Sequence, residues 1–178
     1  MPRTVFVTVG STEFDSLIRS VTSPPVLKTL HRLGFDRLLL QIGRGQFEPF
    51  SSNSNKSINV PTTDYYRYKS SIREDLSAAD LVISHAGAGT CLETLELQKP
   101  LLVVVNESLH DNHQFELAER LAADSHLFYC TPSTLDQTLL AKFSQWPPTV
   151  LKPLPPGQPE LFADWLQQQV FGFDDAQF

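Results

Sequence analysis

The stretch Leu81-Val82-Ile83-Ser84-His85-Ala86-Gly87-Ala88-Gly89-Thr90-Cys91-Leu92-Glu93 decides how this chain folds. Its apolar start predicts a buried strand, its glycines predict a tight turn, and the leucine spacing that follows predicts a helix, which Lys99-Pro100 ends. Glycines let the backbone come close to an anion, and the first turn of a helix offers unpaired N–H groups. A strand, a glycine turn and a helix in this order therefore predict a phosphate site.

Two polar side chains extend this prediction to a nucleotide. Thr90 and Glu93 are three residues apart, so they share one helix face near its start. A hydroxyl beside a diphosphate and a carboxylate within reach of ribose hydroxyls indicate a nucleoside diphosphate site. The alternatives are a plain tight turn at Gly87 and Gly89, and a solvated helix carboxylate at Glu93. By residue type alone, His85 is more often a structural hydrogen-bonding residue than a ligand.

Hydrophobic patterns on both sides of this stretch predict alternating strands and helices. Strands are expected at 4–9, 37–42, 57–60, 64–68, 81–85, 100–105 and 127–130, and helical segments at 14–21, 26–33, 72–79, 92–97, 115–122 and 133–143. Ser, Asn and Gly predict an exposed and mobile loop at 44–56. The alternation predicts an α/β fold, a doubly wound, Rossmann-like parallel sheet with its ligand at the carboxyl ends of the strands.

Three segments are expected along the chain. Residues 1–146 form the Rossmann-like domain with the predicted nucleotide site, 147–160 form a proline-rich connector, and 161–178 form an amphipathic terminal helix and tail. The apolar stripe of that helix must be covered, either by the chain's own sheet or by a partner subunit.

Composition excludes several classes of function. The net charge of -6, without a Lys/Arg block, argues against nucleic acid as a partner. Cys91 and Cys130 form no C-x-x-C pair, which favours reduced thiols and a cytoplasmic location. No apolar run approaches the roughly 20 residues that span a bilayer. The segment with His110, Asp111 and His113 lacks the usual ligand spacing, so we expect no metal and no cofactor.

Three motifs in order resemble a known family: His85-x-Gly87-x-x-Thr90-x-x-Glu93, then Lys99-Pro100, then Asp111-Asn112-His113-Gln114. They are similar to the nucleotide-sugar half of two-domain, GT-B-type glycosyltransferases, and to the C-terminal domain of glycosyltransferase family 28. With Phe6 to Asp15 included, the resemblance covers about residues 4–130. Within the family it is closest to cytosolic donor-binding subunits that transfer N-acetylglucosamine.

The resemblance implies a binding site for UDP-N-acetylglucosamine (UDP-GlcNAc). His85 and the loop from Gly87 to Thr90 would hold the diphosphate, and Glu93 the ribose. Residues 111–114 would contact the sugar, and residues 10–12 would line the cleft. The expected binding residues are Gly10, Ser11, Thr12, His85, Gly87, Ala88, Gly89, Thr90, Glu93, Asp111, Asn112, His113 and Gln114. No catalytic residue is assigned in the chain, with His85 as the one candidate.

The resemblance also implies a heterodimer. The acceptor-binding half, with the general base, would lie on a membrane-anchored subunit at the cytosolic face of the endoplasmic reticulum. The acceptor would be dolichyl-diphosphate-GlcNAc, a precursor of N-linked glycans, and the transfer would be inverting and metal-independent. Two alternatives remain open at this point: a UDP-sugar epimerase or hydrolase, and a non-catalytic scaffold that binds sugar nucleotides.

Overall fold

The computed structural model describes residues 2–50, 59–107, 112–155 and 157, and only the backbone of 112–114. The described chain forms one sheet of six parallel strands. The strands are β1 (Arg3–Thr8), β2 (Phe35–Gln41), β3 (Thr62–Tyr66), β4 (Leu81–His85), β5 (Leu101–Val104) and β6 (Phe128–Cys130). The helices are α1 (Asp15–Val21), α2 (Pro24–Arg32), α3 (Arg73–Ala78), α4 (Ala88–Glu96), α5 (Asn112–Ala123) and α6 (Leu135–Phe143), with a 3₁₀ turn at Pro132–Thr134.

The order of the strands places a crevice at the middle of the sheet. The order is β3-β2-β1-β4-β5-β6, so the chain first winds outward from β1 and then crosses back to β4 on its other side. Ligands of open α/β sheets bind where the strand order reverses, outside the carboxyl ends of the strands. The predicted fold is confirmed, and its switch point lies between β1 and β4.

Alternate residues of the strands build a core on each face of the sheet. Val5 and Val7 of β1 point to the layer that holds α1, α2 and α6, whereas Phe6 points to the layer that holds α3, α4 and α5. All three side chains are fully buried. Near-continuous apolar strands such as β5 are typical of parallel strands that are covered on both faces.

Two expectations about this architecture are wrong. A strand was predicted at 57–60, of which the structure describes Asn59 and Val60. These two residues form a turn and a bend instead, with a positive φ of 73° at Asn59. Phe115, expected in the core of its helix, is 42% exposed and packs edge-on against Tyr129 at a centroid distance of 5.8 Å.

The described part of the proline-rich segment lies against the domain. The Lys152 N–H donates to the Ser125 carbonyl at 2.8 Å, and the His126 ring is 3.1 Å from the Lys152 carbonyl. Leu154 packs on the core that contains Phe6. The expected helix at 161–178 lies outside the described residues, and the proposed segment boundaries remain predictions.

Within the described ranges, no helix has the length and apolar character needed to cross a membrane.

Candidate functional site

The loop after β1 forms one wall of the central crevice. Gly10 has a φ of 62°, a left-handed conformation that side chains other than glycine rarely adopt. Its N–H donates to the Thr8 hydroxyl at 2.9 Å, and that hydroxyl donates to the buried Gln41 side chain of β2. The turn is thus anchored to two adjacent strands.

His85 lies between this loop and the loop after β4. A Cβ on Gly10 would be 2.9 Å from the His85 Cε1 atom, and a Cβ on Gly87 would be 2.8 Å from the same atom and closer still to Nε2. Gly87 has an ordinary φ of -77°, so its backbone conformation alone does not demand glycine, although its N–H closes a tight turn onto the His85 carbonyl. Glycine is needed at both positions because the imidazole occupies the space of a side chain.

The environment of His85 keeps its imidazole neutral. The residue is only 9% exposed, and burial lowers its pKa, an effect that the Thr8 backbone opposes in part. Nδ1 is buried and makes no hydrogen bond of normal geometry with the described residues. The His85 carbonyl accepts bonds from the Gly87 N–H and the Ser84 hydroxyl, both at 2.8 Å. A neutral ring can donate or accept one hydrogen bond at Nε2.

Helix α4 begins without a capping side chain. Its N-cap is Gly87, and Cys91 is the first residue whose N–H bonds back into the helix, to the Gly87 carbonyl at 3.0 Å. The amides of residues 88–90 therefore have no intrahelical acceptor. A Cβ built on Gly89 would meet no atom within 4 Å. Gly89 is the second residue of α4 and does not belong to the turn in which it was expected. What distinguishes it is the open space where a side chain would be.

Thr90 and Glu93 follow on this helix, as predicted. Thr90 is partly exposed, and its carbonyl accepts the Thr94 hydroxyl at 2.7 Å. The Glu93 carboxylate lies 3.5 Å from the guanidinium of Arg73, which opens α3. No spacing rule links two residues on separate helices, so the sequence carries no signal for this ion pair.

The remaining wall contains Ser11 and Thr12. Their carbonyls accept hydrogen bonds from Arg44, one from its side-chain Nε at 2.9 Å and one from its backbone N–H at 3.0 Å. Gly43 has a φ of 59°, and a Cβ built on it would overlap the Thr12 carbonyl oxygen. The Thr12 hydroxyl donates to the Val9 carbonyl at 2.7 Å.

Two further charged residues hold the segment after β2. The Asp15 carboxylate accepts the N–H groups of Gln46 and Phe47, each at 3.0 Å. Arg67 donates to the carbonyls of Gly43 and Gly45 at 3.2 and 2.9 Å. The start of the predicted exposed loop at 44–56 is therefore bound to the domain, which the Ser- and Asn-rich composition did not indicate. Residues 51–56 lie outside the described ranges.

The segment expected at the sugar follows β5, the neighbour of β4. Asp111 lies outside the described residues, and Asn112, His113 and Gln114 form the first turn of α5. Because β4 and β5 are parallel neighbours, this turn begins at the same sheet edge as the glycine loops. The predicted sugar contacts of these residues remain predictions.

Other reactive side chains in the described ranges offer no second centre. Cys91 and Cys130 are buried free thiols, and burial raises the pKa of each to about 12, so they are poor nucleophiles at neutral pH. The described side chains include no group of three or more His, Cys, Asp or Glu residues that could bind a metal ion.

The sequence profile of the glycosyltransferase family 28 C-terminal domain matches residues 4–147. The chain belongs to this family. This glycosyltransferase domain is 59% identical over 129 residues to "UDP-N-acetylglucosamine transferase subunit ALG13" of Homo sapiens. That alignment covers 71% of the chain and 11% of the human protein, so the chain spans only a small part of that relative's length.

Solved structures of glycosyltransferases share the fold of this family 28 domain. An NMR structure of ALG13 superposes with a TM-score of 0.63 at 27% identity, over 96% of this chain and 98% of that one. MurG of Acinetobacter baumannii gives a TM-score of 0.64 at 21% identity, over 85% of this chain but 43% of that one. The domain has the fold of one half of a GT-B glycosyltransferase.

Proposed function

We propose that the chain is the donor-binding half of a glycosyltransferase that uses UDP-GlcNAc. The observation that carries the proposal is the meeting of two glycine loops around His85, beside the uncapped start of α4, at the switch point of the sheet. Backbone amides, open space and a neutral imidazole converge there. Family membership and the printed name of the human relative favour the same donor.

The first turn of α4 would bind the diphosphate. Its three free amides and the positive end of the helix dipole favour an anion, and the space above Gly89 admits a phosphate oxygen close to the backbone. Nε2 of neutral His85 could donate one further hydrogen bond. These groups would stabilise the charge that develops on UDP as it leaves, and they supply this stabilisation without a metal ion.

The nucleoside and the sugar would lie on either side of the diphosphate. Glu93 would accept hydrogen bonds from the ribose hydroxyls one helical turn beyond the phosphates. The first turn of α5, with Asn112, His113 and Gln114, would contact the sugar. Gly10, Ser11 and Thr12 would line the wall that faces the acceptor.

The reaction would be a direct displacement with inversion at the anomeric carbon. An acceptor hydroxyl would attack that carbon, the bond to the UDP oxygen would break, and the acceptor proton would pass to a general base on a separate subunit. The word "subunit" in the relative's name favours such a partner. We propose a membrane-anchored heterodimer partner, dolichyl-diphosphate-GlcNAc as acceptor, and the cytosolic face of the endoplasmic reticulum as the place of reaction.

Binding measurements on the purified chain test the donor assignment. Calorimetry with UDP-GlcNAc, UDP and UMP should show binding of the first two and about tenfold or more weaker binding of UMP, which lacks one charged phosphate. ADP controls for general affinity toward diphosphates. A chain that binds none of the uridine nucleotides, or binds UMP as tightly as UDP, would contradict the proposal.

An activity assay then tests whether transfer requires both this chain and the membrane-anchored partner. Transfer from radiolabelled UDP-GlcNAc to the lipid acceptor is expected only after the membrane-anchored partner is added. Consumption of UDP-GlcNAc by the isolated chain would instead indicate an epimerase or a hydrolase. Donor binding without transfer in the presence of the partner would favour a non-catalytic scaffold.

A further inference from the structure

The ion pair between Arg73 and Glu93 joins the helix before β4 to the helix after it, and both helices lie on the same face of the sheet. Arg73 is the first residue of α3, which leads into β4, and Glu93 lies in the second turn of α4, which leaves it. Arg73 Nη1 is 3.5 Å from Glu93 Oε1, and the side chains are 58% and 32% exposed. The Arg73 guanidinium on α3 thus contacts a carboxylate that belongs to α4.

Side-chain contacts hold the first turn of α3, which carries Arg73, in place. Lys69 Nζ lies 2.8 Å from both oxygens of Asp75, and the Tyr66 hydroxyl at the end of β3 donates to the same carboxylate. The Lys69 ammonium also lies 4.4 Å from the centre of the Tyr66 ring. The first turn of α3 is therefore tied to the carboxyl end of β3, and Arg73 projects from an anchored helix.

From this geometry we infer that Arg73 is a positioning residue for ribose recognition by Glu93, an inference that rests on the proposed function. A glutamate side chain has three rotatable bonds, and holding one of its oxygens restricts the rotamers that it samples before the nucleotide arrives. With Oε1 beside Arg73, Oε2 is left for a ribose hydroxyl. Pre-ordering of this kind raises affinity without a new contact to the ligand.

Because the Arg73–Glu93 ion pair is weak, a role in ribose binding can be distinguished from a role in the stability of the fold. Half-exposed ion pairs at such distances add little to fold stability. Removal of Arg73 should therefore leave thermal unfolding of the nucleotide-free chain unchanged and should affect only the ribose contact.

The experiment compares UDP with 2′-deoxy-UDP by calorimetry. In the wild-type chain UDP should bind more tightly, because the 2′-hydroxyl can bond Glu93. Arg73→Gln should weaken UDP binding by about 3- to 5-fold, the effect of one exposed ion pair, and should weaken 2′-deoxy-UDP, which offers Glu93 only its 3′-hydroxyl, by clearly less. Arg73→Lys, which keeps the charge, should restore part of the preference. Arg120→Gln is the matched control, because it removes an exposed ion pair, 3.2 Å long, between Arg120 in the last turn of α5 and Asp124 just beyond that helix.

A double variant completes the test. If Arg73 acts through Glu93, Arg73→Gln should have no further effect on UDP binding in the Glu93→Gln background. The inference is overturned if Arg73→Gln weakens both nucleotides equally, leaves both unchanged or tightens UDP, or if its effect persists without Glu93. A wild-type chain that binds no UDP would instead refute the proposed function itself, and the inference with it.

Discussion

Gly89→Ala should make the protein more stable and a worse binder of UDP. Gly89 lies in the first turn of α4, and a Cβ there would meet no atom within 4 Å in the nucleotide-free chain. Alanine is a better helix former than glycine, so the free energy of unfolding should rise by up to about 1 kcal/mol. For a chain of this size that corresponds to a rise in melting temperature of about 2–4 °C.

The same methyl group would occupy the space proposed for the diphosphate. Loss or lengthening of one charge-assisted hydrogen bond costs about 1.5–3 kcal/mol, which is roughly 10- to 150-fold in the dissociation constant of UDP. Calorimetric titration with UDP and thermal unfolding without it would be measured on the same preparations. The two effects have opposite signs, so general damage to the fold cannot produce both.

Gly157→Ala is the matched control for this experiment. A Cβ on Gly157 also meets no atom within 4 Å, and the residue lies in the proline-rich connector, outside the helices and strands of the domain. It should bind UDP as the wild type does. If Gly89→Ala binds UDP with unchanged affinity, the diphosphate does not lie on the first turn of α4, and the reasoning about that turn is refuted.

Three further outcomes are expected. Glu93→Ala should weaken UDP-GlcNAc binding by about 1–3 kcal/mol in calorimetry, the usual cost of losing a hydrogen bond to a charged group; unchanged affinity would remove Glu93 from the site. Gly87→Ala should lower the free energy of unfolding by about 1–3 kcal/mol in urea titrations, because its Cβ displaces the His85 ring, and stability equal to wild type would mean that the ring moves freely. The free energy of unfolding should fall as the pH is lowered from 7 to 5. Burial lowers the pKa of His85 in the folded chain, whereas in the unfolded chain its pKa is near 6.5, so the unfolded chain binds more protons at this residue and is favoured at low pH. The slope contributed is up to about 1.4 kcal/mol per pH unit, and His85→Gln should lack it; an equally steep slope in that variant would assign the titration to another group.

Much of the fold is readable from the chain because it rests on local pattern. Apolar runs such as Leu101–Val104 mark strands that are buried on both faces, and turn residues such as Gly34 mark helix ends. The pattern failed at Asn59 and Val60, because Asn59 adopts a left-handed φ of 73° and the two residues form a turn and a bend. It also failed at Phe115, which is apolar but packs only edge-on against Tyr129 of the edge strand β6 and stays 42% exposed.

The candidate site also contains residues that the sequence could predict and residues that only the structure shows. Gly87, Gly89, Thr90 and Glu93 could be proposed from the sequence because their predicted roles follow from spacing along one strand–turn–helix unit, and those roles remain predictions. The His85 ring that fills the space beside Gly87 also packs against Gly10 in the distant loop after β1, and only the tertiary structure shows that one ring lies against both glycines. Arg73, Asp15 and Arg67 were missed because each acts on a residue that is distant in the sequence.

The sequence by itself determined the succession of strands and helices and the glycine-containing helix start that follows β4. These depend on backbone conformation and side-chain periodicity, which neighbouring residues set. Only the tertiary structure decided that β4 lies beside β1, so that His85 fills the space between Gly10 and Gly87 and Arg73 reaches Glu93. The physical reason is that strand order is fixed by how the whole set of apolar faces packs, and no local pattern encodes it.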